Sequence, residues 1–131
     1  MARKRVLIID DHRDSADMMA ALLRALDPGL IVDVGYDGEA AVALATQLRP
    51  AVLIIDLELP RLGGSGAASK IRSVLHDAPP LLIAYSGNLF KVAKAQQGSL
   101  FDHAFLKPVD TRKLLAILQS IPTTRSTIRP P

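Results

Sequence analysis

Four apolar runs in this chain each end at a polar group that can do chemistry. Val6 to Ile9 leads into Asp10 and Asp11, and Ala51 to Ile55 leads into Asp56. Leu81 to Tyr85 leads into Ser86, and a last run through Leu106 leads into Lys107 and Pro108. If these runs are parallel strands, their ends on one sheet edge converge on a single crevice. Three carboxylates, a hydroxyl and an ammonium gathered there make a site for a divalent cation and a phosphoryl group. The crowding is unfavourable on its own. Two carboxylates ~4 Å apart repel by roughly 4 kcal/mol at an effective dielectric near 20. A cation or the Lys107 ammonium must therefore offset the repulsion.

The rest of the chain supplies elements that place these groups. Val6 to Ile9, Ala51 to Ile55 and Leu81 to Tyr85 are continuous apolar runs, as strands buried on both faces should be. Leu30 to Tyr36, broken by Asp33, reads as a weaker strand near a sheet edge, and 102–106 reads as the last strand. Between them lie helical patterns. Asp14 is the expected N-cap of the first helix, with Asp17 adding charge to its first turn. Ala16, Met19, Leu23 and Leu26 form its apolar stripe, and Asp27-Pro28-Gly29 stops it. Asp37-Gly38 is a turn before an Ala-rich helix over 39–48. Pro60, Gly63, Gly64 and Gly66 mark a loop before a third helix that runs to about Leu75. Gly63-Gly64 lacks the Lys-Ser/Thr of a phosphate-cradling loop, so these glycines are expected to permit a tight turn. Asn88 caps a fourth helix that Gly98 closes. Asp110 caps a fifth, in which Leu114, Ile117, Leu118 and Ile121 are the buried stripe. Strands alternating with helices, without hairpin signals, predict an α/β fold with a parallel sheet and helices on both faces.

Composition narrows the function classes. A chain of 131 residues fits one domain, expected over 1–121 with a disordered tail at 122–131. Hydrophobic residues make up 49% and aromatics only 4%, so the core must be built from Val, Leu, Ile and Ala. There is no Cys, which removes disulfides and thiolate metal sites and is compatible with a reducing cytoplasm. No apolar run approaches the ~20 residues of a membrane helix, and no secretory signal is legible at the start. The formal charge of +3 comes from the ends. Without Arg3, Lys4, Arg5, Arg125 and Arg129, 11 basic residues face 13 acidic ones. With no basic stripe interleaved with aromatics, nucleic acid is not an expected partner, and the basic termini read as solvated ends. His12, His76 and His103 have no metal-site spacing, and His12 reads as a surface loop residue beside the acidic pair.

The ordered set of Asp10-Asp11, Asp56, Pro60 four residues on, Gly64 eight residues on, Ser86 and Lys107-Pro108 resembles the receiver domain of two-component response regulators. The resemblance runs over about residues 5–121. It implies a flavodoxin-like, doubly wound sheet in strand order 2-1-3-4-5. It implies that Asp56 is the phosphoacceptor, receiving the group from a histidine kinase or a histidine phosphotransfer protein. Asp11 and Asp56 would bind Mg²⁺ directly, Asp10 through a water, and the Glu58 backbone carbonyl would add a ligand. Lys107 would pair with a phosphoryl oxygen, and the Ser86 hydroxyl would move onto the phosphoryl group to carry the switch. Lys107-Pro108 would be cis. The chain would catalyse only its own phosphorylation and dephosphorylation, and would then change partner binding around the fourth helix, fifth strand and fifth helix. Phe90 on the fourth helix, if exposed, would be a candidate contact for a downstream partner or a weakly associating second copy.

The sequence departs from the family pattern at three places. The position three residues before Lys107, often aromatic or His, is Ala104. Phe105 should face the other way by strand alternation. Glu58 adds a negative charge two residues after the acceptor. The segment 98–101 is a residue shorter than in some relatives. Two rival readings stand beside the phosphoacceptor. One is a degenerate receiver serving as an interaction scaffold, which the complete acidic triad and Lys107 oppose. The other is an aspartyl-phosphate hydrolase resembling haloacid dehalogenases. That class carries its nucleophile near the chain start, with a second Asp two residues later where this chain has Glu58.

Overall fold

The apolar runs fold as the strands of one sheet, and the computed structural model describes this arrangement for residues 3–121. In chain order the elements are β1 (Lys4–Ile9), α1 (Arg13–Leu26), β2 (Leu30–Gly35), α2 (Gly38–Leu48), β3 (Val52–Asp56), α3 (Gly63–Val74), β4 (Leu81–Ser86), α4 (Leu89–Gln97), β5 (His103–Leu106) and α5 (Thr111–Ser120). All pairings are parallel and the strand order is β2-β1-β3-β4-β5. β1, β3 and β4 are central, which is why their sequences are apolar on both faces, and the Asp33-bearing β2 is at the edge. The expected tail at 122–131 lies outside the described residues. Among those described, no helix is long and apolar enough to cross a membrane.

Strand alternation sorts the core into two layers. Val6, Ile8, Val52, Ile54, Ile83 and Tyr85 face Ala16, Ala20 and Leu23 of α1 and Leu114 and Leu118 of α5. Leu7, Ile9, Leu53, Ile55 and Leu82 face Ala41 and Ala45 of α2 and Ala67, Ala68 and Ile71 of α3. Each fully buried Leu or Ile contributes about 1.5–3 kcal/mol from leaving water. The Ala-rich helix faces let the helices sit close to these bulky strand side chains. At the β5 side, Ala104 packs with Leu57, Ala84 and Val92, while Phe105 turns to the α1/α5 layer, as alternation requires. Ser86 pairs with Leu106 in the β4–β5 ladder, which sets Lys107 just beyond Ser86 and fixes the register left open by the short 98–101 segment.

Four expectations are corrected. The N-cap of α1 is His12, not Asp14, because the Asp10 carboxylate accepts the His12 N–H and starts the turn earlier; Asp14 lies in the first turn, where its charge complements the helix N-terminus. Leu26 is half exposed; the buried stripe of α1 is Ala16, Ala20 and Leu23. Gly63, Gly64 and Gly66 lie in the opening turn of α3 rather than in the loop before it, and Gly63, at φ 74°, still makes the tight turn expected there. Lys4 and Arg5 are not solvated ends. Both lie in β1, where Lys4 is buried with its ammonium on the Leu118 carbonyl and Arg5 pairs with Asp33 at 2.9 Å.

Candidate functional site

The expected residues meet at the C-terminal edge of the sheet. Asp10 leaves the end of β1 with its side chain fully buried. Its Oδ1 accepts the His12 N–H at 2.9 Å and its Oδ2 accepts the Tyr85 hydroxyl at 2.7 Å. Asp56 closes β3 and is 1% exposed. Its Oδ1 accepts the Glu58 N–H at 2.8 Å and its Oδ2 accepts the Lys107 ammonium at 2.8 Å. Lys107 Nζ is also 3.6 Å from Asp10 Oδ2 and lies over the Tyr85 ring, 4.9 Å from its centroid. Asp11 is exposed at the rim, where His12 Nδ1 lies 3.4 Å from both Asp10 and Asp11. One ligand atom from each of Asp10, Asp11, His12 and Asp56 falls within 4.8 Å of the others.

Local sequence explains why these groups can crowd. α3 begins against the end of β3. A Cβ on Gly64 would lie 2.2 Å from the Asp56 carbonyl oxygen and 2.6 Å from the Leu57 Cα, so only glycine fits. Behind it, the Gly64 N–H donates to the Leu57 carbonyl at 3.3 Å. The Lys107-Pro108 bond is cis, and the Lys107 N–H donates to the Ser86 carbonyl at 2.9 Å. The Gly64 contact and the Lys107 N–H bond hold the strand ends that carry Asp56 and Lys107.

The electrostatics separate the two buried carboxylates. Burial pushes Asp10 up, but donation from Tyr85 and the His12 N–H, with the Lys107 charge, outweighs it and holds Asp10 below the ordinary aspartate range. Burial of Asp56 is not fully offset by Lys107 and the Glu58 N–H, and with the Asp10 charge beside it Asp56 is raised. Burial pulls Lys107 down, yet Asp56 and Asp10 prevail and raise it, so it stays charged. Burial and the neighbouring Asp10 charge raise Tyr85 far above its usual range, so it remains a donor. The remaining donors around the pocket are carboxylate oxygens with one imidazole at the rim, a hard set that fits Mg²⁺ better than a thiophilic ion.

Ser86 is buried at the end of β4 but does not face Asp56 with a free hydroxyl. It donates to Glu58 Oε1 at 2.9 Å, and its Oγ accepts the Asn88 N–H at 2.9 Å. The Glu58 side chain is thus part of the site as an acceptor, a role the sequence reading did not give it. The role of Tyr85 is not legible in the sequence, since a Tyr ending an apolar strand reads as core. The available signal was its position one residue before Ser86, on the β4 end beside Asp10. His12, whose place in the sequence reads as a surface loop, reaches the acidic pair.

Comparison with known proteins places this arrangement. The profile of the response regulator receiver domain matches residues 6–119. The chain is 29% identical over 119 residues to the transcriptional regulatory protein PrrA of Mycobacterium leprae, covering 89% of this chain and 49% of that protein. It is 45% identical over 69 residues to a protein-glutamate methylesterase/protein-glutamine glutaminase of Myxococcus xanthus, covering 53% of this chain and 19% of that one. The chain therefore spans about half or less of these curated relatives. Among solved structures, a CheY-like receiver domain from Methylobacillus flagellatus is similar with a TM-score of 0.78 and 28% identity, over 92% of this chain and all of that one. A signal receiver domain of a DNA-binding response regulator from Colwellia psychrerythraea is similar with a TM-score of 0.78 and 26% identity, over 89% of this chain and 96% of that one.

Proposed function

The chain belongs to the response regulator receiver domain family, and on that premise we propose that it takes a phosphoryl group onto Asp56 from a histidine kinase or a histidine phosphotransfer protein. The observation that carries this reading is the Lys107 ammonium set 2.8 Å from Asp56 within a cluster of three aspartates. An Asp56 oxygen attacks the phosphorus of a phosphohistidine. The P–N bond breaks with its electron pair going to the imidazole, and a P–O bond forms, giving an acyl phosphate. Lys107, already charged and in reach, shifts from the carboxylate to a phosphoryl oxygen and keeps the charge paired. Asp10, held at both oxygens, faces the site without swinging. Asp11, Asp56 and the Glu58 carbonyl would hold Mg²⁺ directly, with Asp10 acting through water. When bound, the ion neutralises charge on the phosphoryl oxygens and orients them.

The output is a change in partner binding. Leu89 and Phe90 at the start of α4 are 63% and 84% exposed, and Leu106 on β5 is 44% exposed, so the α4–β5–α5 face offers apolar contacts to a downstream partner or a second copy. The test is phosphorylation by acetyl phosphate with Mg²⁺, followed by mass analysis and Phos-tag electrophoresis. One phosphoryl adduct is expected, lost on chelation of Mg²⁺ and in Asp56→Asn. Lack of any adduct on the wild-type protein supports the scaffold reading instead, and steady turnover of a phosphate ester supports the hydrolase.

A further inference from the structure

The structure points to a competition for one proton. We propose that the Glu58 carboxylate holds the Ser86 hydroxyl at rest, that a phosphoryl group on Asp56 displaces it, and that the exchange reaches the surface through Asn88 and α4. This inference rests on the phosphoacceptor reading above. A serine hydroxyl has one hydrogen to donate. Here it goes to Glu58 Oε1 at 2.9 Å, a charge-assisted bond of the stronger kind. The same carboxylate oxygen also accepts the Gly87 N–H at 3.2 Å. One oxygen thus ties the β3–α3 loop to the β4–α4 loop, and Ser86 cannot donate to a phosphoryl oxygen while it remains.

The phosphoryl group itself supplies the force for release. Glu58 is two residues past the acceptor, and its own N–H donates to Asp56 Oδ1. A phosphoryl group on Asp56 adds negative charge two residues from Glu58, and like charges repel. Glu58 is exposed, so water can solvate it once it leaves.

Movement of the Ser86 hydroxyl has a defined recipient. Ser86 Oγ accepts the Asn88 N–H at 2.9 Å, and the Asn88 side chain caps α4 by accepting the N–H groups of Phe90 and Lys91 at 2.9 and 3.2 Å. Leu89 and Phe90 stand exposed on that first turn. β5 offers no comparable lever, because Ala104 has no side-chain torsion with which to follow Ser86. Glu58 is thus a positioning residue that acts through Ser86.

Beryllium fluoride with Mg²⁺, a phosphoryl mimic for an aspartate, provides the test by titration and NMR. Removing the acceptor in Glu58→Ala is expected to tighten beryllium fluoride binding about tenfold, the equivalent of ~1.4 kcal/mol and within reach of one charge-assisted hydrogen bond. In a Ser86→Ala background the same substitution is expected to change affinity less than about twofold, since no hydroxyl is left to release. The amide signals of Asn88 to Lys91 in ligand-free Glu58→Ala should move part of the way toward their positions in the bound wild type. An equal gain with and without Ser86 reduces Glu58 to general repulsion of the anion and overturns the proposal. Unchanged affinity in Glu58→Ala also overturns it while leaving the acceptor reading intact. Failure of the wild type to bind the mimic overturns both.

Discussion

The β1–β3 end and the β4–β5 end of the same sheet edge are built differently. At the acid end, Asp10 and Asp56 each have both oxygens occupied by donors from the protein, two from backbone N–H groups and two from Tyr85 and Lys107. Both carboxylates are shielded from water, so every one of these bonds is expensive to leave unmade. At the Ser86 end, the hydroxyl is held by an exposed carboxylate, and Asn88 hangs on that hydroxyl. A bond with a water-exposed partner is cheap to exchange. The comparison teaches that the buried acids are satisfied before any ligand arrives, while Ser86 and Asn88 are secured through a carboxylate that water can reach.

The largest test breaks the acid end through its backbone. Gly64→Ala puts a Cβ at 2.2 Å from the Asp56 carbonyl oxygen, so β3 and the first turn of α3 must part. A loss of about 3 kcal/mol is expected in urea unfolding, the range of a forced overpacking, with loss of acceptor activity. Gly66→Ala, which meets only the flexible Leu62 side chain, should be milder and serves as the control.

Charge at the same end gives a smaller effect with a definite pH signature. Asp56 is raised in the folded chain, chiefly by burial, so its ionised form is disfavoured there. That penalty is present above the folded pKa and is released as pH falls through it toward the ordinary aspartate value. Asp10 is lowered, so its stabilising share behaves oppositely and is lost as pH falls below the ordinary value. Asp56→Asn should therefore stabilise the Mg²⁺-free protein at pH 7, with the gain shrinking in acid. A gain that grows on acidification would contradict the assignment of the raised group.

The smallest effect concerns the rim. Asp11 is exposed and contributes repulsion without a buried partner, so Asp11→Ala should stabilise the Mg²⁺-free protein by only a few tenths of a kcal/mol. Millimolar Mg²⁺ should raise the wild-type Tm and raise that of Asp11→Ala much less. Equal shifts in both would remove Asp11 from the ligand set.

The strand-end acids were legible because burial and chemistry leave separable marks: an apolar run selects a central strand, and a polar residue ending it must face the edge. Asn88 and Asp110 were legible as caps for the same local reason, and both accept N–H groups of the helices they open. What failed was tertiary. The glycines at 63, 64 and 66 carry a loop signal, yet the need for α3 to touch the Asp56 backbone overrode it. Asp14 has the better capping chemistry, but Asp10 reaches the His12 N–H from β1. Tyr85 acts on Asp10 and the Glu58 side chain on Ser86 across 75 and 28 residues, and those two pairings leave no trace in local pattern.

Tyr85 has a practical consequence. The chain has no Trp and two Tyr, so its near-ultraviolet emission comes from phenols alone. A phenol bonded to a carboxylate is dimmed by excited-state proton transfer, and the Tyr85 ring carries the Lys107 ammonium on its face as well. With Tyr36, whose hydroxyl sits on Asp17, replaced by Phe, the remaining fluorophore reports on the acidic pocket directly. The protein thus contains its own unlabelled optical gauge of whatever ion or anion enters there.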